Sequence, residues 1–304
     1  MKTKNSTLIF IILLIPYSIY SQNTETEKNL KKVNTDTIVG WKTGIVSGIN
    51  LAQTALVNWS AGGESSISFN GLVSAFASYK DTTSEWNTTL DIGYGLLQQG
   101  VKGQFIKTDD RFDFLTKYGV KAFSDFNYAG LINFKTQFSP GYNYPNDSVK
   151  ISNFFAPAYL LAAIGLNYVP TIYFDAFVAP ITGKMTFVND DALSAIGAYG
   201  VTPGKKLKGE FGGYARISYT RSDFKGEFLK NVAFTSKLDL FSNYLKDPQN
   251  IVFNWENLIG MKVNKYISVN INTHLMYDAN IKFNGEKAKL QFKEILGLGF
   301  FLKL

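Results

Sequence analysis

The chain has 304 residues, 45% hydrophobic and 15% aromatic, yet beyond its first twenty residues it holds no apolar run near the roughly 20 residues of a membrane helix, which excludes a helical membrane protein. Charged residues make up 18%, below the roughly 25% usual in soluble domains, and 26 Gly against 8 Pro favour strands and tight turns. The lack of cysteine removes disulfides, thiolate metal sites, a cysteine nucleophile and a cysteine-anchored lipoprotein, and the net charge of +7 reflects 31 Lys and Arg against 24 Asp and Glu, spread without a basic cluster. Nucleic acid needs a concentrated basic face, so it is not expected as a partner; anionic lipid head groups fit this charge better.

In chain order, Lys2 and Lys4 precede an apolar core from Leu8 to Ile15, then Pro16 and a polar run ending at Gln22. This pattern predicts a signal peptide over 1–21, with Ser21 before the cleavage point, although Ile19 at minus three is an imperfect match. Residues 22–40 are polar, without apolar periodicity, and read as a flexible periplasmic leader; the folded unit is expected over 41–304.

From Trp41 onward, apolar residues recur at every second position in segments of about 10 to 14 residues, the length of a tilted membrane strand. The clearest segment has Ile267, Val269, Ile271, Leu275 and Tyr277 on one face, with Ser268, Asn270, Asn272, His274 and Asp278 on the other. One face suits lipid and the other water. Twelve strands are predicted, near 43–55, 65–79, 85–98, 111–122, 127–139, 158–168, 171–183, 209–221, 227–242, 250–263, 267–279 and 289–303. Connectors alternate short and long, from short ones such as Ser222 to Gly226 to long ones such as Gln99 to Asp110 and Lys184 to Lys208. The expectation is an all-β fold, a single transmembrane antiparallel up-and-down barrel of about twelve strands in the outer membrane, with both termini periplasmic. Aromatic residues near strand ends, among them Trp59, Tyr79, Trp86, Tyr128, Tyr173 and Trp255, could form interfacial girdles. The terminal Leu304 departs from the aromatic residue that ends many such barrels.

Three stretches carry a resemblance: Asn58-Trp59-Ser60-Ala61-Gly62-Gly63-Glu64 with the following Ser65 to Ser68, Pro180 to Ser194, and Gly209 to Gly213. They resemble a family of Bacteroidota proteins known as domain of unknown function 3078. The resemblance implies an outer-membrane barrel and brings no reaction, ligand or catalytic residue with it. On their own chemistry, Trp59, Gly62, Gly63 and Glu64 suit a tight outer turn or a loop that contacts a partner. Asn189, Asp190 and Asp191 suit the N-cap of a short helix; a hard cation is the sharper and weaker reading.

For chemistry, the single histidine, His274, lies on the polar face of its strand and would need a serine beside it to serve a lipid- or glycan-modifying hydrolase. The favoured reading is a non-enzymatic barrel with no cofactor, acting as a narrow channel or as a membrane component that meets other envelope proteins through its outer loops. Its predicted lumen holds Asp91, Lys117, Lys121, Lys135, Asp175, Arg216, Lys237, Asp239, Glu256, Lys262, His274, Asp278 and Lys293. This mixture of signs fits either a salt-bridged plug or a narrow polar pore, and interior packing by Tyr173, Phe177 and Tyr214 would favour the plug. The carboxylate pairs Asp109-Asp110 and Asp190-Asp191 read as solvated loop surface.

Overall fold

The computed structural model describes residues 39–56, 64–100, 103–144, 146–227, 229–263, 267–279 and 288–300. The signal peptide, most of the leader, and Trp59, Gly62 and Gly63 lie outside the described residues. The alternating segments form strands β1 (Gly40–Thr54), β2 (Ser66–Lys80), β3 (Ser84–Gln99), β4 (Phe105–Phe123), β5 (Phe126–Thr136), β6 (Gly141–Asn143), β7 (Asn146–Ser152), β8 (Ala158–Thr171), β9 (Phe174–Phe187), β10 (Leu207–Arg221), β11 (Val232–Asn243), β12 (Val252–Lys262), β13 (Ile267–Tyr277) and β14 (Gln291–Phe300). A short helix α1 (Asp191–Ala195) and a single 3-10 turn (Ala198–Gly200) follow β9.

Twelve strands make one antiparallel sheet in chain order, and the small β6–β7 hairpin stands apart within the connector between β5 and β8. Every neighbour in the large sheet is a sequence neighbour, as expected of an up-and-down meander. The outermost strands, β1 and β14, approach to within 8 Å between Cα atoms. Among the described residues no ladder joins them, so what is seen is a sheet with two edges rather than a closed barrel.

The sheet is nonetheless strongly curled. Arg111 on β4 lies 3.8 Å from Glu256 on β12, six ladder steps away, or about 29 Å along a flat sheet at roughly 4.8 Å per step. Lys293 on β14 also reaches Asp109 on β4. Such contacts form only if the concave face turns back toward itself.

The polarity of the two faces is the reverse of a soluble sheet packed on an oily core. On the convex face Trp41 is 59% exposed, Ile164 65%, Val178 57% and Ile181 58%. On the concave face Asn167 and Thr182 are fully buried, and Lys117, Lys184, Glu210 and Asp278 nearly so. One apolar cluster sits among these polar groups, built on Leu131, Ala163, Phe177, Tyr214 and Phe241.

Three boundaries differ clearly from expectation, one of them the end of β9, which lies at Phe187 rather than near 183. β4 begins at Phe105 rather than near 111, because Phe105 to Asp109 continue to pair with β3 as far as Gln98; the long connector predicted from Gln99 to Asp110 shrinks to 100–104. The connector after β10 runs 222–231 instead of ending at Gly226. Lys230 N–H bonds back to Gly226 O and Val232 N–H to Leu229 O, which makes a turn. The contrast between short and long ends is therefore weaker than the sequence suggested.

β9 carries one extra residue against both neighbours: Ala179 faces Tyr214 while Thr182 faces Gly212, leaving Pro180 and Ile181 opposite Gly213. Proline has no N–H to give the ladder, so a bulge is where a strand accommodates it. Backbones crowd beside this bulge. A Cβ on Gly165 would lie 2.0 Å from Val178 O, and one on Gly212 would lie 1.9 Å from Ser242 O. Gly165→Ala or Gly212→Ala is expected to destabilise the fold by about 1–3 kcal/mol, as overpacking does. Gly183→Ala, with open space around the new methyl, is the control expected to leave the urea unfolding midpoint unchanged.

Candidate functional site

Period-two geometry sends alternate side chains of every strand into the curl, and there the charges meet in three groups. In the first, Lys117 Nζ donates to both Asp175 oxygens at 2.8 and 2.6 Å and to Asn167 Oδ1 at 3.0 Å, while Asn167 Nδ2 donates to Asp175 at 2.9 Å. In the second, Arg216 lies 3.2 Å from Asp239, which also accepts from the Tyr214 hydroxyl at 2.5 Å. Lys135 lies 3.3 Å from Asp113 and 4.0 Å from Asp239, and Asn254 Nδ2 reaches Asp239 at 3.4 Å and Glu256 at 3.5 Å. In the third, Lys184 lies 3.5 Å from Glu210 and 3.8 Å from Asp278, over the faces of Tyr159 and Phe241, and Lys208 donates to Glu210 at 2.9 Å.

Of the predicted lumen residues, Lys117, Lys135, Asp175, Arg216, Asp239, Glu256, His274 and Asp278 belong to these groups or touch them. Asp91 accepts from Ser74, and with Lys237 it lines a small cavity of about 60 Å³ beside Arg111 and Glu256. Lys121 keeps the phase of Lys117 but is exposed, beside the turn that follows β4, and joins none of the three groups. Lys262 stands at the end of β12, opposite Ser268, away from the three groups. Tyr173 is a correction. It sits in the turn before β9, hydrogen-bonded to Asp223 and under the Arg221 guanidinium, so of these three aromatics Phe177 and Tyr214 alone pack inside, with rings 6.2 Å apart.

Sequence reasoning missed Arg111, Asp113, Lys184 and Glu210. Arg111 and Asp113 keep even spacing with Lys117, and Glu210 with Arg216, so the phase already held that signal. Lys184 falls in a predicted connector, because the alternation places the end of its strand at 183.

The His274 Nε2 is hydrogen-bonded to Asn254 and lies 4.0 Å from Glu256 Oε1. Its cross-strand neighbours are Glu256 and Lys293. The serine that a hydrolase would require is not in that set.

At the other end of the strands, two carboxylates organise the long connectors. Asp110 accepts from Phe138 N–H at 2.8 Å, Ser139 N–H at 2.9 Å, Ser139 Oγ at 3.0 Å and Lys107 Nζ at 2.8 Å. Asp190 N-caps α1 by accepting from Leu193 N–H at 3.1 Å, and takes Lys150 Nζ and Asn153 Nδ2, each at 2.8 Å. Both are buried, against the expectation of solvated surface. Asn189 N–H bonds Phe155 O, and exposed Asp191 pairs with Lys206 at 2.7 Å. The acidic cluster is thus engaged in capping and ion pairing, and among the described residues no group of three metal-binding side chains occurs. Val188, Leu193 and Val201 pack with Ala156 beneath it, so the connectors 137–157 and 188–206 share a small core. Glu64 is exposed and lies beside Gly100, in the neighbouring turn.

At the short-turn end, Trp41, Tyr79, Trp86 and Tyr118 stand at one level across four adjacent strands. Their ring centroids are 5.3 Å apart for Trp41 and Tyr79, 5.8 Å for Trp41 and Trp86, and 6.5 Å for Trp86 and Tyr118. Trp86 Nε1 donates to Thr116 at 2.7 Å and Trp255 Nε1 to Ser236 at 2.9 Å, which satisfies the polar end of each indole.

The hydrogen bond from Lys150, helped by those from Leu193 and Asn153, holds the Asp190 carboxyl down at about 2. A depressed carboxylate stabilises at pH values above its unfolded pKa near 3.9, and that contribution is lost as pH falls through the folded value. Hydrogen exchange at Leu193 is therefore expected to accelerate, beyond its intrinsic pH dependence, between about pH 4 and pH 2. Asp190→Ala should remove about 1 kcal/mol of helix capping at neutral pH and open Lys150 to trypsin, whereas Asp190→Asn keeps the cap and loses only the ion pair.

Residues 51–142 match a family described as protein of unknown function (DUF3078), and no curated protein matches the chain. The matched segment runs from the end of β1 into β6 and contains the Asn58 to Ser68 stretch; the stretches at 180–194 and 209–213 lie beyond it. Over residues 51–142, the resemblance read from the sequence is borne out: the chain is similar to that family.

Proposed function

We propose that this protein is an integral β-barrel of the outer membrane, closed along β1 and β14, with an interior filled by ion pairs, and that it acts as a non-enzymatic docking component rather than an open channel. The observation that carries this reading is the reversed polarity of the sheet. A convex face of exposed Trp, Ile and Val beside a buried, charged concave face suits lipid outside and fails in water, where so much contiguous apolar surface drives association. The tryptophan and tyrosine row at the short-turn end suits a membrane interface. Closure would satisfy the two sheet edges, which hydrocarbon does not tolerate.

The choice of a plug over a pore rests on the pairing of interior charge. Arg111, Lys117, Lys135, Lys184 and Arg216 each face a carboxylate, and ions crossing this interior would have to break such pairs. Docking is favoured by the connectors: Asp110 and Asp190 hold them in one shape, which lowers the ordering cost of an interface.

Val178→Arg separates lipid from water as the solvent of the convex face. In a bilayer the substitution is expected to cost about 2–4 kcal/mol near the midplane, whereas on a water-exposed sheet it would stay within about 0.5 kcal/mol. Folding titrations of the protein in lipid vesicles measure it, and a neutral result overturns the barrel. In planar bilayers the wild-type protein is expected to be silent; reproducible conductance steps would reinstate the channel.

A further inference from the structure

A cavity of about 140 Å³ lies inside the curl, between the second and third charge groups. Its walls are mostly carbon, from Tyr159, Leu161, Phe241 and Met276 among others. Its charged lining is balanced: Lys135 with Asp239 on one side, Lys184 with Asp278 on the other. Phe241 and Val252 also border a smaller cavity whose remaining wall includes Lys246, Asp247 and Asn250 of the connector 244–251, so the two cavities share a wall on the long-connector side.

Size, charge and spacing each restrict what can occupy this space. An apolar cavity of about 150 Å³ accommodates benzene, so the room here suits a single ring. A charged guest would have to unbalance paired groups in a buried setting, which favours a neutral one. Lys184 and Asp278 both line the cavity, 3.8 Å apart, so a hydroxyl lying alongside the pair can accept from the ammonium and donate to the carboxylate. The aromatic faces of Tyr159 and Phe241, already beside Lys184, supply edge and face contacts for the ring. We propose that the interior holds a binding site for a small, neutral, hydroxylated single-ring molecule of the phenol class. The site depends on the interior geometry alone; phenol binding by a sheet that fails to insert into lipid would leave it standing while removing the membrane assignment.

The test is saturation-transfer NMR on the full chain folded in detergent micelles, with phenol and toluene as probes. Saturable phenol binding is expected, with toluene roughly tenfold weaker for want of the hydroxyl contacts. Leu161→Trp, which narrows the cavity, should abolish the saturable component, and Met276→Trp does the same from the opposite wall if the first variant does not fold. A phenol signal that never saturates, that is no stronger than toluene, or that survives filling of the cavity overturns the site.

Discussion

Charge held on the concave side of the sheet dictates the arrangement of the rest. Removing ionised groups from water costs several kcal/mol each, and breaking a buried pair by deleting one partner typically costs about 3–5 kcal/mol. Lys117 is therefore wrapped by Asp175 and Asn167, and Asp239 gathers Arg216, Tyr214 and Lys135. Two of the pairs span the curl, Arg111 with Glu256 and Lys135 with Asp239, so satisfying them draws β4 and β5 toward β12 and β11. The same demand leaves little of the interior for an oily core. The apolar side chains that a soluble sheet would bury are placed on the convex face instead.

That division also sets the backbone. A tightly curled sheet brings main chains close at its irregular points, and the bulge at Pro180 shows how: glycine at 165 and 212 lets the neighbouring carbonyls of Val178 and Ser242 approach where a Cβ would collide. At the long-connector end the problem is different, because irregular chain must find partners for its own N–H groups. Asp110 and Asp190 supply them, each buried carboxylate receiving main-chain and side-chain donors together. The hub at Asp190 also joins two connectors, since Lys150 and Asn153 come from one and Leu193 from the other.

Much of this was legible in the residues. The period of two located the twelve strands and told the inward from the outward face, as with Trp86 against Asn87 or Ile271 against Asn272. The N-cap at Asp190 was legible because capping depends on neighbours three residues away. The β6–β7 hairpin was not, since Gly141 to Ser152 contains turn residues and no run of alternation long enough to reveal it. The end of β10 at Arg221 was legible, whereas the start of β11 at Val232 was not, because the backbone turn that precedes it leaves no mark in the alternation. The burial of Asp110 was hidden because its donors, Phe138 and Ser139, are distant in sequence.

By itself the sequence determined the strand phase and the character of each face, because both follow from side-chain chemistry and an alternation built into every extended chain. Only the tertiary structure decided which charges meet. Arg111 with Glu256, Lys135 with Asp239 and Lys293 with Asp109 are pairs between distant segments, and no local pattern encodes them. They depend on how far the sheet curls and on the register each strand takes against the next, quantities set by all twelve strands together.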